Sequence, residues 1–467
     1  MPESSTIEEF KQQLFDGIDL VNDDERRWPS GMHGLPPRTG KIKDLASFDA
    51  VFFGVHAKQA NVMDPQLRML LELTHEAIVD AGINPAEIRG SKTGVFIGVS
   101  DSESDEHWSA DPDRVNGKLL FFFFVHSSRI FEFNSLSFAY FHTGYGLTGC
   151  CRAMFPNRIS YTFDFSGPSF ALDTACSSSL YAMHHAIAAM RTGQCDAAIV
   201  GGVNLLLKPT SSLQFHRLSM LSPDGACKAF DSSGNGYVRS EAAVVIYLQR
   251  SSDARRVYAT VVNSKVNTDG YKDQGITFPN GNMQNKLMKE VYSEAGINPA
   301  DVAYVEAHGT GTKVGDPQEV NSIADLFCKG RKEPLLLGSV KSNMGHSEPA
   351  SGLCSIAKVL VAMEKGIIPQ NLHYKNPNMD IPALSDGRIK VVDQNTPWNG
   401  GLVAINSFGF GGANAHVVLR SNPKPKLSPM LDLSLPKLVS VSGRTEEAVG
   451  VLLDEVIYIK FLLSNLG

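Results

Sequence analysis

The sequence has no segment that would direct the chain into or across a membrane. Its first ten residues, MPESSTIEEF, are polar and acidic and lack the basic stretch and apolar core of a secretory signal. The longest fully apolar run, LLFFFFV at 119–125, is far shorter than the roughly 20 residues that cross a bilayer. We therefore expect a cytoplasmic protein with no membrane span.

Cysteine is scarce and unpatterned, and neither sign of charge is in large excess. The seven cysteines include no CxxC pair and no regular spacing. The thiols are therefore expected to be reduced, with neither a disulfide framework nor a zinc site. Lysine and arginine number 43 against 49 acidic residues, a formal net charge of −6. This balance predicts no phosphate-binding surface and hence no nucleic-acid partner.

A calcium site is not expected either. The segment DSSGNGYVRSEA places Asp231, Ser233 and Asn235 like the first ligands of a calcium-binding loop. The twelfth position, where such a loop needs a bidentate Glu, is Ala242. We interpret the segment as a polar turn, and the sequence predicts no metal site.

A short internal repeat divides the first 420 residues. AGINPAEI contains Gly82 and AGINPADV contains Gly296, 214 residues further on. In both copies a helical pattern ends at the glycine, an Asn-Pro turn follows, and a β-rich run comes next. A match of this length can arise by chance, but the shared order favours two similar α/β halves, at 1–250 and 251–420. The Pro-rich stretch beyond them predicts a linker and the start of a following region at 421–467.

Near-continuous apolar runs support the α/β class. They lie at 196–207, 242–250, 255–266 and 401–410. Such runs are typical of strands that helices cover on both faces. Between them, Leu180, Met183 and Ile187 recur at helical spacing. We expect mainly buried sheets with helices packed against them.

The stretch ALDTACSSSL places Cys176 between a run that predicts a strand and a run that predicts a helix. A thiol there lies at the helix N-terminus, where free N–H groups and the helix dipole favour the thiolate. The backbone N–H of Cys176 would also point toward an oxyanion formed by attack at its sulfur. The alternative is a small buried hydrophobic residue. We interpret the other cysteines in that way: Cys150, Cys151, Cys195, Cys227, Cys328 and Cys354.

Two distant histidines each follow a predicted strand in a glycine-rich turn. VEAHGTGTKVGDPQE contains His308, and GSVKSNMGHSEPASG contains His346 with Lys341 five residues before it. A single histidine is more often structural, but two at strand ends indicate a shared site built from loops. A third glycine-rich stretch, NSFGFGGANAHVVL at 406–419, allows close backbone approach. It matches neither common nucleotide-binding loop.

Together, DTACSSS, EAHGTGT, KSNMGH and NSFGFGGANAH resemble the β-ketoacyl synthase, or condensing enzyme, family in the order in which they occur. The resemblance covers nearly all of residues 1–420. Stretches such as RRVYATVVNSKVNTDGYKDQGITFPNG are most similar to the ketosynthase of animal type I fatty acid synthases. The resemblance implies a thiolase-like fold, in which two similar α/β halves form a layered αβαβα sandwich. It also implies a 3-oxoacyl synthase, an acyltransferase that elongates fatty acid or polyketide chains by decarboxylative Claisen condensation.

The resemblance also implies roles for single residues. Cys176 would be the nucleophile that takes the acyl chain from a carrier-protein thioester. His308 and His346 would hydrogen-bond the carbonyl of malonyl-carrier protein as carbon dioxide leaves. The oxyanion formed at the acyl carbonyl would be held by the N–H groups of Cys176 and Phe410.

The other implied site residues position these groups or contact the substrate. Lys341 and Glu319 complete the implied catalytic set, as an ion pair that orients the loop of His308. Two hydroxyls would bind the phosphopantetheine arm, two aromatic residues flank the glycine-rich loop, and one ring lines the pocket. The hydroxyls are those of Thr310 and Thr312, the flanking aromatic residues are Phe408 and the gating Phe410, and the pocket ring is that of Phe230. The chain itself would bind no cofactor, because its substrates arrive on the phosphopantetheine of a carrier protein.

The implied assembly is a homodimer that works with an acyl carrier protein domain and other domains of a multienzyme chain, of which this chain would be a fragment. The resemblance breaks in three places, one of which is the C-terminal stretch VIYIKFLLSNLG, where it ends. It implies a first core strand before MPESS, which this chain lacks. The stretch 118–143 holds eight of the 25 phenylalanines and one acidic residue, Glu132. We interpret that stretch as translated intron or a gene-model error; a real hydrophobic insertion is the alternative.

Three other functions are less well supported. A catalytically inactive fragment, acting at most as a dimerisation module, would account for the missing strand and the insertion but not for the intact motifs. A degradative thiolase would need a second cysteine near NSFGFGGANAH, which has none. A cysteine protease needs one histidine and gives no reason for Lys341 or for GFGG.

Overall fold

The computed structural model describes residues 1–104, 145–422, 441 and 445–464. The chain divides into two compact units, Met1–Asn422 and Pro423–Gly467. The insertion predicted at 118–143 lies outside the described residues. In the described ranges, no helix is both long and apolar enough to cross a bilayer.

Strands and helices alternate along most of the first unit, as is typical of α/β proteins. The strands are β1 (Val21–Asn22), β2 (Thr39–Gly40), β3 (Thr93–Gly98), β4 (Ser169–Leu172), β5 (Ala197–Asn204), β6 (Ala242–Gln249), β7 (Ala259–Thr268), β8 (Val302–Glu306), β9 (Leu335–Gly338), β10 (Ile367–Ile368), β11 (Ile389–Val391), β12 (Thr396–Pro397), β13 (Leu402–Phe408) and β14 (Ala413–Ser421). The α-helices are α1 (Ile7–Phe15), α2 (Ala57–Val62), α3 (Pro65–Asp80), α4 (Tyr145–Cys150), α5 (Met154–Phe163), α6 (Ser178–Arg191), α7 (Pro209–Arg217), α8 (Gly281–Ala295), α9 (Gly315–Phe327), α10 (Lys341–Met344), α11 (Ser351–Lys365), α12 (Pro382–Ser385) and, in the second unit, α13 (Glu446–Ser464). Short 3₁₀ helices cover Met32–Gly34, Pro85–Ile88, Pro299–Asp301 and Glu348–Ala350.

Two large sheets share one topology. The first has the order β4-β3-β5-β6, with β3 parallel to β4 and β5, and β6 antiparallel to β5. The second has the order β11-β9-β8-β13-β14-β7. In it β8 is parallel to β9 and β13, and β14 is antiparallel to β13. The run β4-β3-β5-β6 thus corresponds to β9-β8-β13-β14, which confirms the two similar α/β halves.

The two halves differ at both edges of their sheets: β9 has β11 as an outer neighbour, whereas its counterpart β4 has none among the described residues. In the second half, β7 pairs antiparallel with β14 along its whole length. In the first half, β6 has no second strand partner among the described residues. Its side chains alternate between two cores, Val244 toward one and Val245 toward another, yet both stay half-buried. β7 is the first strand of the second half, and it pairs with β14, the counterpart of β6. The corresponding position in the first half, beside β6, is where the resemblance implies a first core strand.

Three hydrophobic cores of the first unit produce five layers. The largest core holds α6 and α11 between the two sheets, with Leu180, Leu353 and Val403 fully buried. A second core packs α3 and α5 against the outer face of the first sheet. A third packs α8 and α9 against the second sheet. The layer order is therefore helix, sheet, helix, sheet, helix, which confirms the thiolase-like αβαβα arrangement.

The sequence repeat forms the same local structure in both halves. Gly82 and Gly296 adopt positive φ angles of 77° and 63°, in the left-handed region that glycine enters without a steric penalty. The Asn84 and Asn298 side chains then each accept the N–H two residues on, at 3.0 Å. The chain next enters β3 or β8, the inner strands of the two sheets. Loops that follow the carboxyl ends of such parallel strands are where α/β proteins build their sites.

Candidate active site

Cys176 lies on a sharp turn between β4 and α6. Ala175 adopts a φ of +54°, in a left-handed region that non-glycine residues seldom occupy. The Cys176 carbonyl accepts hydrogen bonds from the hydroxyls of Ser351, at 3.0 Å, and Ser407, at 2.7 Å. The second half of the chain therefore holds the nucleophile turn of the first half in place.

The expected thiolate is not the favoured form of Cys176. Burial, and then the negative charge of Glu348, raise the pKa of the Cys176 thiol to about 12. The charge of Lys341 and the backbone N–H groups of Phe410 and of Cys176 itself act in the opposite direction but do not compensate. The prediction from helix polarity was wrong because it left out desolvation, which penalises the charged form. At neutral pH the Cys176 side chain is therefore a thiol.

Alkylation should reveal this raised pKa directly. Iodoacetamide reacts with thiolates. At pH 9 the alkylation rate of Cys176 should therefore be about a thousandfold below that of free cysteine, and the Cys176 rate should rise about tenfold for each further pH unit. Peptide mass spectrometry separates Cys176 from the other six cysteines. A rate that already levels off near pH 7 would instead mean that the helix N-terminus dominates.

His308 follows β8 and is held at both its backbone and its ring. Its N–H donates to Glu319 Oε1 at 2.7 Å. Its ring Nδ1 accepts the N–H of Phe408 at 3.4 Å. Because the ring contact uses Nδ1, Nε2 is the ring atom available to a ligand.

His346 follows α10 and is held in the same way. Its N–H donates to the Val238 carbonyl at 2.8 Å, and its ring Nδ1 accepts the N–H of Glu348 at 3.3 Å. The centroids of the His308 and His346 rings are 5.3 Å apart, and the two rings are nearly perpendicular. The two distant histidine motifs therefore bring their rings next to each other in the folded chain.

Both histidines are neutral hydrogen-bond donors. Burial, followed by the positive charge of Lys341, lowers the pKa of each ring well below its usual value. A neutral imidazole carries one N–H, and in each ring Nδ1 accepts a backbone hydrogen bond, so the proton is on Nε2. The two rings thus provide two Nε2–H donors, and neither ring carries a positive charge.

One segment, 406–410, connects the nucleophile to the histidines. The Ser407 hydroxyl bonds the Cys176 carbonyl and the Phe408 N–H bonds the His308 ring, while the backbone N–H of Phe410 acts to lower the pKa of the Cys176 thiol. Gly409 allows this approach, because a Cβ at that position would collide with the Thr174 carbonyl oxygen. The backbone N–H groups of Cys176 and Phe410 thus both favour negative charge at the same sulfur, and their role as an oxyanion hole stays a prediction.

The predicted ion pair between Lys341 and Glu319 is wrong as a direct contact. Glu319 instead accepts the N–H groups of His308 and Gly309 and the side-chain amide of Asn406, at 2.7 to 2.9 Å. These three donors occupy its carboxylate. Lys341 is 1% exposed, and its Nζ has no hydrogen-bond partner among the described residues. Burial lowers the pKa of Lys341, and the charges of Glu306 and Glu319 partly oppose that shift.

The predicted substrate-binding residues surround the same loops. The Thr310 and Thr312 hydroxyls lie 3.2 Å apart after His308. Phe408 is buried with its ring 5.8 Å from that of His308, whereas Phe410 is 43% exposed. Phe230 is fully buried beneath Gly309, so it supports the His308 loop, and its contact with substrate stays a prediction.

Sequence reasoning gave no role to Asn406. Its side chain links Glu319 to a buried histidine, since its Oδ1 lies 2.6 Å from His416 Nδ1. Both residues belong to NSFGFGGANAHVVL, so the motif was recognised but only its glycines and aromatic residues were interpreted. A polar pair on the buried strands β13 and β14 is a signal that could have identified them, because buried polar groups need partners.

Known proteins resemble this chain over most of its length. A fatty acid synthase from the goose Anser anser anser is 56% identical over 367 residues, which cover 79% of this chain and 97% of that protein. One component of the phenolphthiocerol/phthiocerol polyketide synthase of Mycobacterium tuberculosis is 40% identical over 419 residues, 87% of this chain and 21% of that protein. The chain thus spans about a fifth of the length of that polyketide synthase component.

Solved structures agree in fold. The ketosynthase from module 6 of the bacillaene synthase of Bacillus subtilis has a TM-score of 0.79 at 31% identity, covering 91% of this chain and 71% of that one. An oxazolomycin ketosynthase domain of Streptomyces albus has a TM-score of 0.80 at 33% identity, covering 92% and 73%.

Family models cover nearly the whole chain. The β-ketoacyl synthase N-terminal domain matches residues 1–254, and the β-ketoacyl synthase C-terminal domain matches 258–375. The ketoacyl-synthetase C-terminal extension matches 377–461. The chain therefore belongs to the β-ketoacyl synthase family, the condensing enzymes, and is a ketosynthase domain similar to those of animal fatty acid synthase and of polyketide synthases.

Proposed function

We propose that this ketosynthase domain joins an acyl chain held on Cys176 to a malonyl unit delivered as a thioester on an acyl carrier protein. The observation that carries the proposal is the 406–410 segment, whose Ser407 hydroxyl bonds the Cys176 carbonyl and whose Phe408 N–H bonds the His308 ring. The segment thereby joins the turn of Cys176 to the loop of His308, which supports a site that combines the thiol with the histidine donors.

The first step transfers the acyl chain to the enzyme. The Cys176 sulfur attacks the acyl thioester carbonyl, and the C–S bond to the phosphopantetheine thiol breaks. The thiol proton of Cys176 ends on the departing thiol, so no other reactant is consumed. The N–H groups of Cys176 and Phe410 hold the oxygen of the tetrahedral intermediate, as preorganised donors do in acyl transfer.

The second step generates the carbon nucleophile. The Nε2–H groups of His308 and His346 donate to the thioester carbonyl oxygen of the malonyl unit. As the bond to the carboxylate breaks, its electron pair forms an enolate and carbon dioxide leaves. Neutral donors suit this step, because they stabilise the developing oxyanion without protonating the carbon that must attack.

The third step forms the carbon–carbon bond. The enolate carbon attacks the acyl carbonyl on Cys176, and the same two N–H groups hold the new oxyanion. The intermediate then expels the Cys176 thiolate, which takes up a proton and returns to the resting thiol. The 3-oxoacyl product stays on the carrier protein.

Lys341 and Glu319 are proposed to support the two histidines. Glu319 fixes the backbone of His308 through two N–H groups, and the charge of Lys341 helps to keep both imidazoles neutral. Thr310 and Thr312 are proposed to bind the phosphopantetheine arm, and the exposed Phe410 to gate the pocket. The chain needs no cofactor of its own in this scheme. Its seven free cysteines suit the reducing cytosol.

A homodimer is the proposed assembly, alongside the carrier protein and other domains of a multienzyme chain. Among the described residues of the first sheet β4 is an outer strand, whereas its counterpart β9 is flanked by β11. The outer strand also exposes Phe170 to 40%. An apolar sheet edge of this kind favours pairing with the same strand of a second copy.

A condensation assay tests the proposal. The purified chain, given an acyl and a malonyl thioester of phosphopantetheine, should release one carbon dioxide per 3-oxoacyl product. Mass spectrometry should find the acyl group on the Cys176 peptide, and sedimentation should give twice the chain mass. A folded chain that is acylated elsewhere, or that leaves both thioesters intact, would contradict the proposed function. That second outcome would support an inactive dimerisation module instead.

A further inference from the structure

A buried ion pair lies directly behind His346. Arg239 Nε donates to Glu348 Oε1 at 2.6 Å, and its Nη2 donates to Oε2 at 2.8 Å. The two residues are 4% and 8% exposed. Two parallel hydrogen bonds of this kind fix the relative orientation of both groups as well as neutralising them.

The pair holds His346 through the backbone on either side of Arg239. The carbonyl before Arg239 accepts the His346 N–H at 2.8 Å, and the N–H after it donates to the His346 carbonyl at 2.9 Å. Glu348 supplies a third contact, because its own N–H bonds the ring Nδ1 of His346. The backbone and the ring of one histidine are thus both attached to the ion pair.

Glu348 adopts a backbone conformation that its side chain must stabilise. Its φ is +45°, in the left-handed region that a residue with a Cβ seldom occupies. Such strain persists only where the surroundings over-determine it. The bond from the Glu348 carboxylate to Arg239 provides that restraint, and the result is an N–H directed at the histidine ring.

The other side of Arg239 reaches the loop of the nucleophile. Its guanidinium carbon lies 5.1 Å from the centroid of the Phe215 ring, and that ring meets Phe410 edge-on at 5.9 Å. Its Nη1 also donates to the hydroxyls of Ser211 and Ser212, which anchors α7. Phe410 follows Gly409, which packs against the Thr174 carbonyl in the turn of Cys176, and Ser407, whose hydroxyl bonds the Cys176 carbonyl.

We propose that Arg239 is a positioning residue for both half-reactions. Through Glu348 it aligns the His346 ring with the malonyl thioester. Through Phe215 it holds Phe410, and with it the oxyanion hole, against Cys176. This inference rests on the proposed function and adds to it a physical link between the histidine-based and cysteine-based steps.

Three substitutions separate the two arms. Glu348→Gln removes the charge that Arg239 binds but leaves Phe215 in place, so malonyl decarboxylation should slow at least about tenfold. Cys176 acylation should not slow and should if anything become faster, because the same charge raises the pKa of the Cys176 thiol. Phe215→Leu should do the reverse, with acylation slowed about fivefold or more. Arg239→Gln should slow both steps. Decarboxylation is measured as carbon dioxide from a malonyl thioester, and acylation by intact-protein mass spectrometry.

Arg27→Gln is the matched control. Arg27 forms another bidentate pair, with the buried Glu241 at 2.7 and 2.8 Å. Its loss should destabilise the fold to a similar degree without changing the ratio of the two rates. If Glu348→Gln and Phe215→Leu shift both rates in the same proportion as this control, the inference is wrong. Failure of the wild-type chain to perform either half-reaction would instead overturn the proposed function. Should Arg239→Gln fail to fold, the two single-arm variants still decide the question.

Discussion

Cys176→Ala should abolish condensation and leave malonyl decarboxylation intact. Without the sulfur no acyl-enzyme forms, so the condensation rate should fall by on the order of 10⁴-fold or more. Decarboxylation uses the donors on His308 and His346, which do not depend on the thiol. The two rates are measured separately, as 3-oxoacyl product and as carbon dioxide.

Cys195→Ala is the control for this substitution. Cys195 is also fully buried but belongs to the core between the sheets, so its loss should leave both rates near those of the wild-type chain. If folded Cys176→Ala protein loses decarboxylation as well, the division of labour between thiol and histidines is incorrect. The same conclusion would follow if the variant still condensed its substrates.

Replacing either of the two site histidines with alanine should slow decarboxylation as well as condensation. His308→Ala and His346→Ala each remove one donor to the developing enolate, which is worth about 3 kcal/mol, or roughly 10² to 10³ in rate. Decarboxylation and condensation should therefore fall together. His346→Ala should still be acylated at Cys176, because the N–H groups of Cys176 and Phe410 stay in place.

An exposed histidine provides the comparison. His33→Ala alters the same residue type at the surface and should change neither rate. Circular dichroism of each variant establishes that the fold is retained. Decarboxylation within about threefold of wild type in both pocket variants would show that the two imidazoles do not bind the malonyl carbonyl.

The fold was largely predictable because it depends on local sequence patterns that occur in both halves of the chain. The AGINP repeat forms the same glycine-terminated helix and Asn-capped turn in both halves. The apolar runs at 196–207 and 401–410 contain β5 and β13, the buried inner strands of the two sheets. Backbone preference and burial act over a few residues, so they can be read from short stretches.

The sequence predicts the members of the candidate site but not the contacts between them. Motif recognition identified Cys176, His308 and His346, and the structure brings their loops together through the 406–410 segment. The direct Lys341–Glu319 pair was wrong, because Glu319 is occupied by three donors that only the folded chain supplies. The link from Arg239 to Glu348 joins residues 109 positions apart, with no local pattern to indicate it.

By itself, the sequence determined the family, the two α/β halves and the side chains that are proposed to carry the chemistry, since these follow from residue type and short-range order. Only the tertiary structure decided the protonation states and the partners. Burial outweighs the helix N-terminus at Cys176 and keeps both histidines neutral, because desolvation depends on everything packed around a group. That packing is a property of the whole fold and not of any one motif.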